Sequence, residues 1–345
     1  MMVQVPQVEV TNPRASFSQE EMLTLLGLAG DEFAERIFFN CGVRKRHLAA
    51  AVGKGLLETN LQQRAAETEE QLLRMAVRAV DAIDVDPADV GVVITSNYYS
   101  LGGPTLAHRL VAHYEMDPTT DKYHVLGVGC ASAVPLFKLA GQALRDLPGK
   151  VALVVAAESI TGFIQPVNGD GHKTKVISAS LFGDGCAAAL LTNDDGRGAH
   201  RGPSVLASQV HQVGHTLDTV SFKLATNDSY MQIGRELPQI AEQQLGGLVE
   251  EFLEANGLEH ADVAHWLIHP GGRGILEGAQ KGLGLSDEDV AVSYGVLADY
   301  GNMGTPSSFY VLKRTEVERE PAAGDRGLMV TIGPGVTVGL MLLAW

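Results

Sequence analysis

Short apolar runs alternate along this chain with amphipathic segments of helical period. The runs at 90–95 (VGVVIT) and 151–157 (VALVVAA) are apolar throughout, as is typical of strands that are buried on both faces. Between 67 and 83, apolar residues such as Leu72 and Ala76 recur at helical spacing among charged residues. This alternation of strands and helices predicts an α/β architecture.

The order of these segments partly recurs after a polar, glycine-rich break at 194–203. Each half contains a strand with a turn, a turn that leads into a helix, and a glycine turn beside a strand. We interpret this as an internal duplication of pattern and divide the chain into halves 1–197 and 198–345. Because apolar strands in both halves need cover on both faces, the pattern predicts a layered α/β/α/β/α sandwich.

Composition narrows the classes of function. The 345 residues are 45% hydrophobic and 19% charged, which is typical of a globular enzyme with a large core. The formal net charge of −15 argues against nucleic acid or an anionic membrane as the main partner, because phosphates require surplus cationic surface. The sequence shows neither a signal-peptide pattern nor an apolar run of about 18 residues, so we expect a cytoplasmic protein.

Three cysteines, Cys41, Cys130 and Cys186, lie far apart and none has zinc-ligand spacing, so we expect neither a disulfide nor a metal site. Cys130 has a distinct setting, GVGCASAVPLF, in which a glycine turn leads into a predicted helix. A helix N-terminus stabilises a thiolate, and small neighbours let a substrate approach closely. The alternative interpretation is a cysteine that fills a buried helix start.

Two further polar residues lie on glycine-rich turns of the second half. His269 ends the apolar strand of WLIHPGGRGIL, a position from which a side chain projects into a crevice. Asn302 lies in DYGNMGTPSS, where a turn residue that tolerates left-handed geometry is the alternative. Together with Cys130, these residues could supply a nucleophile, a base and an amide donor to an oxyanion.

Five stretches of the chain resemble the type III polyketide synthases, the chalcone synthase-like group of the thiolase superfamily. In family order they are GVGCASA around Cys130, LFGDGCAAAL at 181–190, HPGGRGIL at 269–276, YGNMGTPSS at 300–308 and IGPGVTV at 332–338. The resemblance implies a five-layered thiolase fold, a homodimer and an acyltransferase of secondary metabolite biosynthesis. It also implies acyl-CoA and malonyl-CoA as substrates, with no cofactor.

The reaction that the resemblance implies is a decarboxylative Claisen condensation of malonyl-CoA onto an acyl group bound to Cys130. In this scheme His269 pairs with the Cys130 thiolate as an ion pair. His269 and Asn302 then donate hydrogen bonds to the oxygen of the enolate left by decarboxylation. The family also has two gatekeeper phenylalanines, matched here by Phe182 and Phe222, for which ordinary core positions are the alternative.

Coenzyme A carries phosphates, so an acidic protein needs a local basic cluster to bind it. The run Arg44, Lys45 and Arg46 matches the family's region of CoA contacts, with a solvated surface turn as the alternative. Three positions depart from the family pattern: Ile332 replaces an aromatic residue, Gly304 stands where plant enzymes carry serine, and Gly103 stands where family dimers send a methionine into the partner's cavity. These changes suggest an altered and roomier substrate cavity.

Three other functions compete with this prediction. A ketoacyl synthase III-like acyltransferase or single-condensation enzyme would use a substrate bound to an acyl carrier protein. A papain-type hydrolase has cysteine, histidine and asparagine in the same chain order, but its local cysteine signature is missing here. A catalytically silent binding scaffold would have no need of the three residues together.

Overall fold

The computed structural model of this chain describes residues 3–48, 61–98, 102–159, 167, 172–193, 202–225 and 228–345. The strands in these ranges are β1 (Val3–Thr11), β2 (Ser16–Ser18), β3 (Lys45–His47), β4 (Val90–Ser96), β5 (Asp121–Val125), β6 (Val151–Glu158), β7 (Gly185–Asn193), β8 (Ser204–Gln212), β9 (Val220–Ala225), β10 (Asp228–Ile233), β11 (His265–Ile268), β12 (Arg326–Gly333) and β13 (Thr337–Ala344). The helices are α1 (Gln19–Leu25), α2 (Glu32–Asn40), α3 (Leu61–Val80), α4 (Leu106–His113), α5 (Ala133–Ala143), α6 (His172–Leu181), α7 (Leu237–Ala255), α8 (Arg273–Leu283), α9 (Asp287–Tyr300) and α10 (Pro306–Arg319).

Nine strands are hydrogen-bonded in the order β11-β12-β13-β8-β1-β7-β6-β4-β5. Strand β4 runs parallel to both β5 and β6, and β11 runs parallel to β12, whereas the other neighbours are antiparallel. Within the part of the chain that the structure describes, the strands of the two halves meet only where β1 pairs with β8, at Val3–Val205 and Gln4–Ser204. This narrow link leaves two sheets that can each be covered on both faces.

Helices α5 and α10 lie between the two sheets. Phe137 of α5 and Phe309 of α10 contact each other, with ring centroids 5.2 Å apart, in a core that includes Val154 of one sheet and Met341 of the other. Helices α3 and α4 cover the outer face of the first sheet, and α7 and α8 cover that of the second. The layers therefore follow the order α/β/α/β/α, which confirms the predicted sandwich.

The uniformly apolar strands are explained by burial on both faces. Along β4, Val92 and Ile94 pack into the core with α5, whereas Val93 packs with α3 and α4. Because alternate side chains of a strand point to opposite faces, every position of such a strand must be apolar. Each of these fully buried side chains stabilises the fold by about 1.5–3 kcal/mol.

The loops that carry the candidate residues follow the ends of strands and helices on one side of the molecule. Cys130 follows β5, Glu158 ends β6, and His269 follows β11. The proposed boundary between the halves, residue 197, lies outside the described residues and stays a prediction. Within the described ranges, the structure contains no helix that is both long and apolar enough to cross a membrane.

Candidate active site

Cys130 lies in a short 3-10 turn, Gly129–Ala131, that leads into α5. Gly129 has a φ of 55°, and a Cβ atom at this position would lie 3.0 Å from Cδ of Pro334. Glycine is therefore required at position 129, where the turn that carries Cys130 meets the Gly-Pro-Gly turn at 333–335. The Thr305 hydroxyl at the start of α10 donates to the Gly129 carbonyl at 2.8 Å, which ties this turn to the Asn302 loop.

The backbone of Asn302 is held by the segment around Phe182. The Asn302 N–H donates to the Leu181 carbonyl at 2.8 Å, and the Gly183 N–H donates to the Asn302 carbonyl at 3.0 Å. Together these bonds form a short parallel bridge between Phe182 and Asn302. The Gly-Asp-Gly turn at 183–185 thus supports the loop that carries Asn302.

The side-chain amide of Asn302 is fixed in one orientation. Its Oδ1 accepts from the Gly304 N–H at 2.8 Å, and its Nδ2 donates to the Gly271 carbonyl at 3.2 Å. An amide nitrogen carries two hydrogens, so one remains after the bond to Gly271. Nδ2 lies 4.0 Å from the Cys130 sulfur, which places that hydrogen beside the thiol.

His269 is held through one nitrogen of its ring. Its Nδ1 lies 3.3 Å from the Ser308 hydroxyl on α10, and its backbone N–H donates to the Val330 carbonyl at 2.8 Å. Nε2 is buried and has no hydrogen-bond partner among the described residues. Nε2 is therefore the nitrogen that can exchange a proton with a group in the cavity.

One cavity of about 40 Å³ is lined by Cys130, His269 and Asn302 together. Phe182 and Gly304, two of the predicted substrate-contacting residues, line the same cavity. The structure thus brings together residues that lie 139 and 33 positions apart in the sequence. The nucleophile, base and amide donor predicted from the sequence lie within reach of a single small group.

Cys130 and His269 form the predicted ion pair. Burial disfavours a charge on either of them while the other is neutral. It raises the pKa of the Cys130 thiol to about 12, with a further contribution from the nearby Glu158 carboxyl. It also lowers the pKa of His269 to about 3. Burial thus favours the neutral form of each group, and the resting ion pair expected from the sequence stays a prediction.

The sequence that forms this site matches two models of known protein families. Residues 7–253 match the model described as FAE1/type III polyketide synthase-like protein, and residues 205–344 match the C-terminal domain of chalcone and stilbene synthases. The first match alone spans more than half of the chain. The chain belongs to the type III polyketide synthases. This membership confirms the predicted family and an acyltransferase that acts by Claisen condensation, rather than the ketoacyl synthase III-like alternative.

Individual relatives agree with this assignment. The synthase is 31% identical over 268 residues to the alpha-pyrone synthesis polyketide synthase-like Pks18 of Mycobacterium tuberculosis, covering 77% of this chain and 67% of that protein. It is 25% identical to the 3,5-dihydroxyphenylacetyl-CoA synthase of Amycolatopsis orientalis, over 96% of this chain and 90% of the relative.

The solved structures of this group share the same fold. PKS-I from the brown alga Ectocarpus siliculosus matches with a TM-score of 0.90 at 26% identity, covering 99% of this chain and 98% of that one. The 1,3,6,8-tetrahydroxynaphthalene synthase of Streptomyces coelicolor gives a TM-score of 0.88 at 24% identity, with 99% of both chains covered. These matches confirm the predicted thiolase fold.

Glu158 is a cavity residue of the synthase that sequence reasoning missed. Its carboxylate accepts from the Tyr98 N–H at 3.0 Å, and it lines the cavity together with Cys130. Burial raises the pKa of Glu158 to about 8, and Asp184 adds to the shift, so the carboxyl group is mostly protonated at pH 7. The available signal was a charged residue at the end of the apolar strand VALVVAAE.

Arg46 is not a CoA contact, which corrects one of the three predicted cationic positions. Its side chain is fully buried and donates to the Ala179 and Phe182 carbonyls and to the Gln19 side chain. Burial lowers the pKa of this guanidinium to about 10. Arg46 therefore stabilises the backbone beneath Phe182 and cannot reach a phosphate in solvent.

The two neighbouring cations of the same run are exposed. Arg44 forms an ion pair with Asp299 at 2.7 Å and keeps 74% of its side chain exposed, and Lys45 is exposed as well. The alternation of side chains along β3 explains the difference, because Lys45 and Arg46 point to opposite faces of that strand. The CoA contacts proposed for Arg44 and Lys45 stay predictions.

Phe222 is not among the residues that line this cavity, and its assignment as a second gatekeeper stays a prediction. Its ring packs edge-on against Tyr98, with ring centroids 5.2 Å apart, and Tyr98 forms part of the cavity wall. Phe222 lies on β9 opposite Met231 of β10. It thus supports the wall from behind, whereas Phe182 contacts the cavity directly.

Glycine is favoured at position 304 both by the backbone conformation and by the limited space around it. Its φ of 67° lies in the left-handed region, and a Cβ there would lie 3.2 Å from Cγ of Glu158. A side chain at this position would therefore strain the backbone and push into the cavity. The predicted extra room at Gly304 is taken up by the Glu158 side chain.

An open crevice of about 450 Å³ adjoins the cavity. The two share Ile233, Gly271 and Ile275 as lining residues, so they meet at the turn that follows His269. Arg235 and Arg273 line the crevice on its outer side. This arrangement places the crevice next to the cavity that Cys130 lines.

Proposed function

We propose that this enzyme extends an acyl group, held as a thioester on Cys130, with malonyl-CoA by decarboxylative Claisen condensation. The observation that carries the proposal is the 4.0 Å approach of the Asn302 amide nitrogen to the Cys130 sulfur, in a cavity that His269 also lines. The membership of the chain in the type III polyketide synthases supports the same chemistry.

Loading begins when Nε2 of His269 takes the proton of the Cys130 thiol. The sulfur attacks the carbonyl carbon of the starter acyl-CoA, a carbon–sulfur bond forms to Cys130, and the bond to CoA breaks. The CoA thiolate leaves with the proton that His269 accepted. Because burial disfavours either charge alone, we expect thiolate and imidazolium to form together, as the thioester is attacked.

The extension step uses two N–H donors, one on His269 and one on Asn302. The carbon–carbon bond of the malonyl group breaks, CO2 leaves, and its electron pair forms an enolate whose oxygen accepts from Nε2–H of His269 and Nδ2–H of Asn302. The enolate carbon then attacks the acyl carbonyl on Cys130, and the carbon–sulfur bond to Cys130 breaks. Donors aimed at such an oxyanion are each worth about 3 kcal/mol of transition-state stabilisation.

Ser308 allows His269 to serve in both steps. Loading requires a lone pair on Nε2, so Nδ1 carries the hydrogen and donates to the Ser308 oxygen. Decarboxylation requires a hydrogen on Nε2, so between the two steps Nδ1 releases its hydrogen to solvent, Nε2 takes one from solvent, and Nδ1 then accepts the hydrogen of the Ser308 hydroxyl. A hydroxyl group is both donor and acceptor, and the 3.3 Å separation is compatible with either arrangement.

The phenyl ring of Phe182 gives the malonyl carboxylate an apolar neighbour. An anion that is poorly solvated in this cavity is relieved of its charge when it leaves as neutral CO2. Phe182 is only 6% exposed and lines the cavity beside Asn302. This supports a gatekeeper role for Phe182.

The crevice beside the cavity suits the long pantetheine arm of a CoA thioester. It shares Gly271 with the cavity, and Arg235 supplies positive charge at its wall, whereas Arg273 is paired there with Glu277 at 2.8 Å. We assign the phosphates of CoA to this side of the enzyme, with Arg44 and Lys45 as further candidates. Local cationic groups are needed because the chain as a whole is acidic.

The homodimer that we propose is supported by the edge of the first sheet. Among the described strands, β5 pairs with β4 alone, and it leads directly into the loop that carries Cys130. Tyr123 of β5 and the following Leu126 are 42% and 48% exposed. An exposed strand edge of this kind can pair with a second copy, and a two-fold axis at β5 would join the two sheets.

The direct test supplies the purified enzyme with an acyl-CoA and malonyl-CoA in the absence of any carrier protein, with products identified by mass spectrometry. The proposal predicts extended products from CoA thioesters alone. Extension that occurs only with malonyl groups on an acyl carrier protein would instead favour the single-condensation alternative. Cys130→Ala is the negative control, since it lacks the sulfur that holds the acyl group.

A further inference from the structure

We propose that Arg46 is a positioning residue for the condensation: its buried guanidinium fixes the bridge between Phe182 and Asn302, and through it the orientation of the Asn302 amide. This inference rests on the proposed function and adds a residue that acts without touching substrate. Burying a cation costs free energy. The hydrogen bonds that offset this cost lead to the loops beside the cavity.

The guanidinium of Arg46 closes the C-terminal end of α6. Its Nη1 donates to the Ala179 carbonyl and, at 3.2 Å, to the Phe182 carbonyl, and its Nη2 donates to the side chain of Gln19. Carbonyls in the last turn of a helix have no partner within the helix and carry the negative end of its dipole, so a cation is favoured there. The same cation therefore holds the chain where it leaves α6 at Phe182.

The stem of the Arg46 side chain lies against both arms of the bridge. A Cβ on Gly183, just after Phe182, would lie 3.2 Å from the Cβ of Arg46. A Cβ on Gly301, just before Asn302, would lie 3.6 Å from the same atom. A displacement of Arg46 would therefore act on both sides of the two hydrogen bonds that fix the Asn302 backbone.

The strand that carries Arg46 is tied to the same two loops. The His47 carbonyl accepts from the Asp184 N–H at 2.8 Å, which joins β3 to the Gly-Asp-Gly turn. The Arg44 N–H donates to the Ala298 carbonyl at 2.8 Å, which joins the start of β3 to the end of α9. Arg46 is the buried side chain of β3 between these two ties.

The groups that load the starter are held by other contacts. The turn of Cys130 is tied to the Thr305 hydroxyl, and the ring of His269 is held by the Ser308 hydroxyl. Loading uses Cys130 and His269, whereas decarboxylation also uses the amide of Asn302. Loss of the guanidinium should therefore slow decarboxylation much more than the reactions of the thiol.

The experiment measures these two properties separately in Arg46→Met, which keeps an unbranched side chain but removes its donors. Thiol reactivity is the rate at which iodoacetamide alkylates Cys130, read by peptide mass spectrometry, and decarboxylation is the rate of acetyl-CoA formation from malonyl-CoA alone. We expect decarboxylation to fall about tenfold, because a small displacement of a donor suffices for such a loss, and alkylation to stay within about twofold of the wild type. Equal changes in both rates, or no change in decarboxylation, would overturn the positioning role.

The double variant Arg46→Met/Asn302→Ala shows whether Arg46 acts through Asn302. Two residues that act through one group have non-additive effects on a rate. We expect the double variant to decarboxylate malonyl-CoA within about threefold of the rate of Asn302→Ala alone. A further loss of about tenfold in the double variant would show that Arg46 acts elsewhere, and would overturn the assignment.

Arg319→Met is the matched control. Arg319 also donates to a backbone carbonyl, that of Glu288 at 2.7 Å, and neither residue lines the cavity, so both rates should stay at the wild-type level. Arg46→Lys keeps the charge but cannot reproduce the fork of donors, and we expect its decarboxylation rate to lie between those of the wild type and Arg46→Met. If Arg46→Met does not fold, Arg46→Lys carries the test. Equal losses of both rates in Arg46→Lys, or wild-type decarboxylation, would then overturn the role.

Failure of this inference differs from failure of the proposed function. If the wild-type enzyme neither forms acetyl-CoA from malonyl-CoA nor extends any acyl-CoA, the proposed function is wrong. If the wild type is active and Arg46→Met loses both rates together, the function stands and only the positioning role of Arg46 is wrong.

Discussion

The amide nitrogen of Asn302 lies 4.0 Å from the sulfur of Cys130, although 172 residues separate them in the sequence. The amide cannot turn freely, because Gly304 donates to its oxygen and Gly271 accepts from its nitrogen. A donor held in place before the reaction needs no reorganisation when negative charge develops. This relationship makes Asn302 the residue whose loss should most affect the enolate-forming step.

Asn302→Ala is expected to slow the decarboxylation of malonyl-CoA about a hundredfold, which corresponds to the loss of one oxyanion donor worth about 3 kcal/mol. Acetyl-CoA formed from malonyl-CoA alone measures this step. Asn193→Ala is the control, because the Asn193 amide donates to the Leu144 carbonyl away from the cavity. Equal rates for Asn302→Ala and the wild type would remove the proposed donor role.

Ser308→Ala is expected to lower kcat about tenfold, since Nδ1 of His269 loses the partner that serves both tautomers. Ser308→Thr keeps a hydroxyl and should restore most of the rate, an outcome that a purely structural role would not give. Ser293→Ala removes a buried hydroxyl on α9 and is the matched control. The assignment is wrong if threonine and alanine at position 308 give the same kcat.

Gly304→Ala is expected to destabilise the fold by about 1–2 kcal/mol, because a left-handed residue acquires a Cβ that lies 3.2 Å from Glu158. The contrasting variant is Gly247→Ala in α7, where a Cβ meets no atom within 4 Å. We expect this variant to raise the free energy of unfolding by about 0.5–1 kcal/mol. Chemical denaturation measures both. A neutral Gly304→Ala would contradict the strain assigned to this loop.

Glu158 is expected to make stability depend on pH. Its pKa is raised from 4.5 to about 8, so the folded state binds its proton more tightly than the unfolded state. The stability linked to this group is fully present below pH 4.5 and is lost as pH rises through 8. The loss between pH 5 and pH 9 amounts to about 4 kcal/mol.

Glu158→Gln removes this titration and should flatten the decline. Denaturant unfolding at pH 5, 7 and 9 measures the difference between the variant and the wild type. We expect the variant to gain stability relative to the wild type at each step upward in pH. Parallel pH profiles for the two proteins would show that Glu158 titrates normally.

The catalytic trio could be predicted because each member lies in a local motif with its own turn chemistry. Cys130, His269 and Asn302 all follow or precede glycine turns, and the family resemblance joined them into one site. The layered fold was also readable, since strands such as 151–157 are apolar at every position. Both features depend on local sequence, which a single chain displays directly.

The environments of Arg46, Phe222 and Glu158 depend on tertiary packing, which the sequence does not display. Arg46 and its neighbour Lys45 are equivalent as sequence, and only the pairing of β3 with β2 turns one inward and the other outward. Phe222 lies behind Tyr98 because of the way the β9–β10 pair packs on the first half. Glu158 gains its raised pKa from burial, a property that no spacing of residues displays.

The most direct measurement of the central claim is the site at which the starter is attached. The enzyme is incubated with an acyl-CoA in the absence of malonyl-CoA, digested, and the acylated cysteine is identified by peptide mass spectrometry. We predict the acyl group on Cys130, with Cys41 and Cys186 unmodified and with no acylation in Cys130→Ala. An acyl group on another residue, or product formation by Cys130→Ala, would contradict the account.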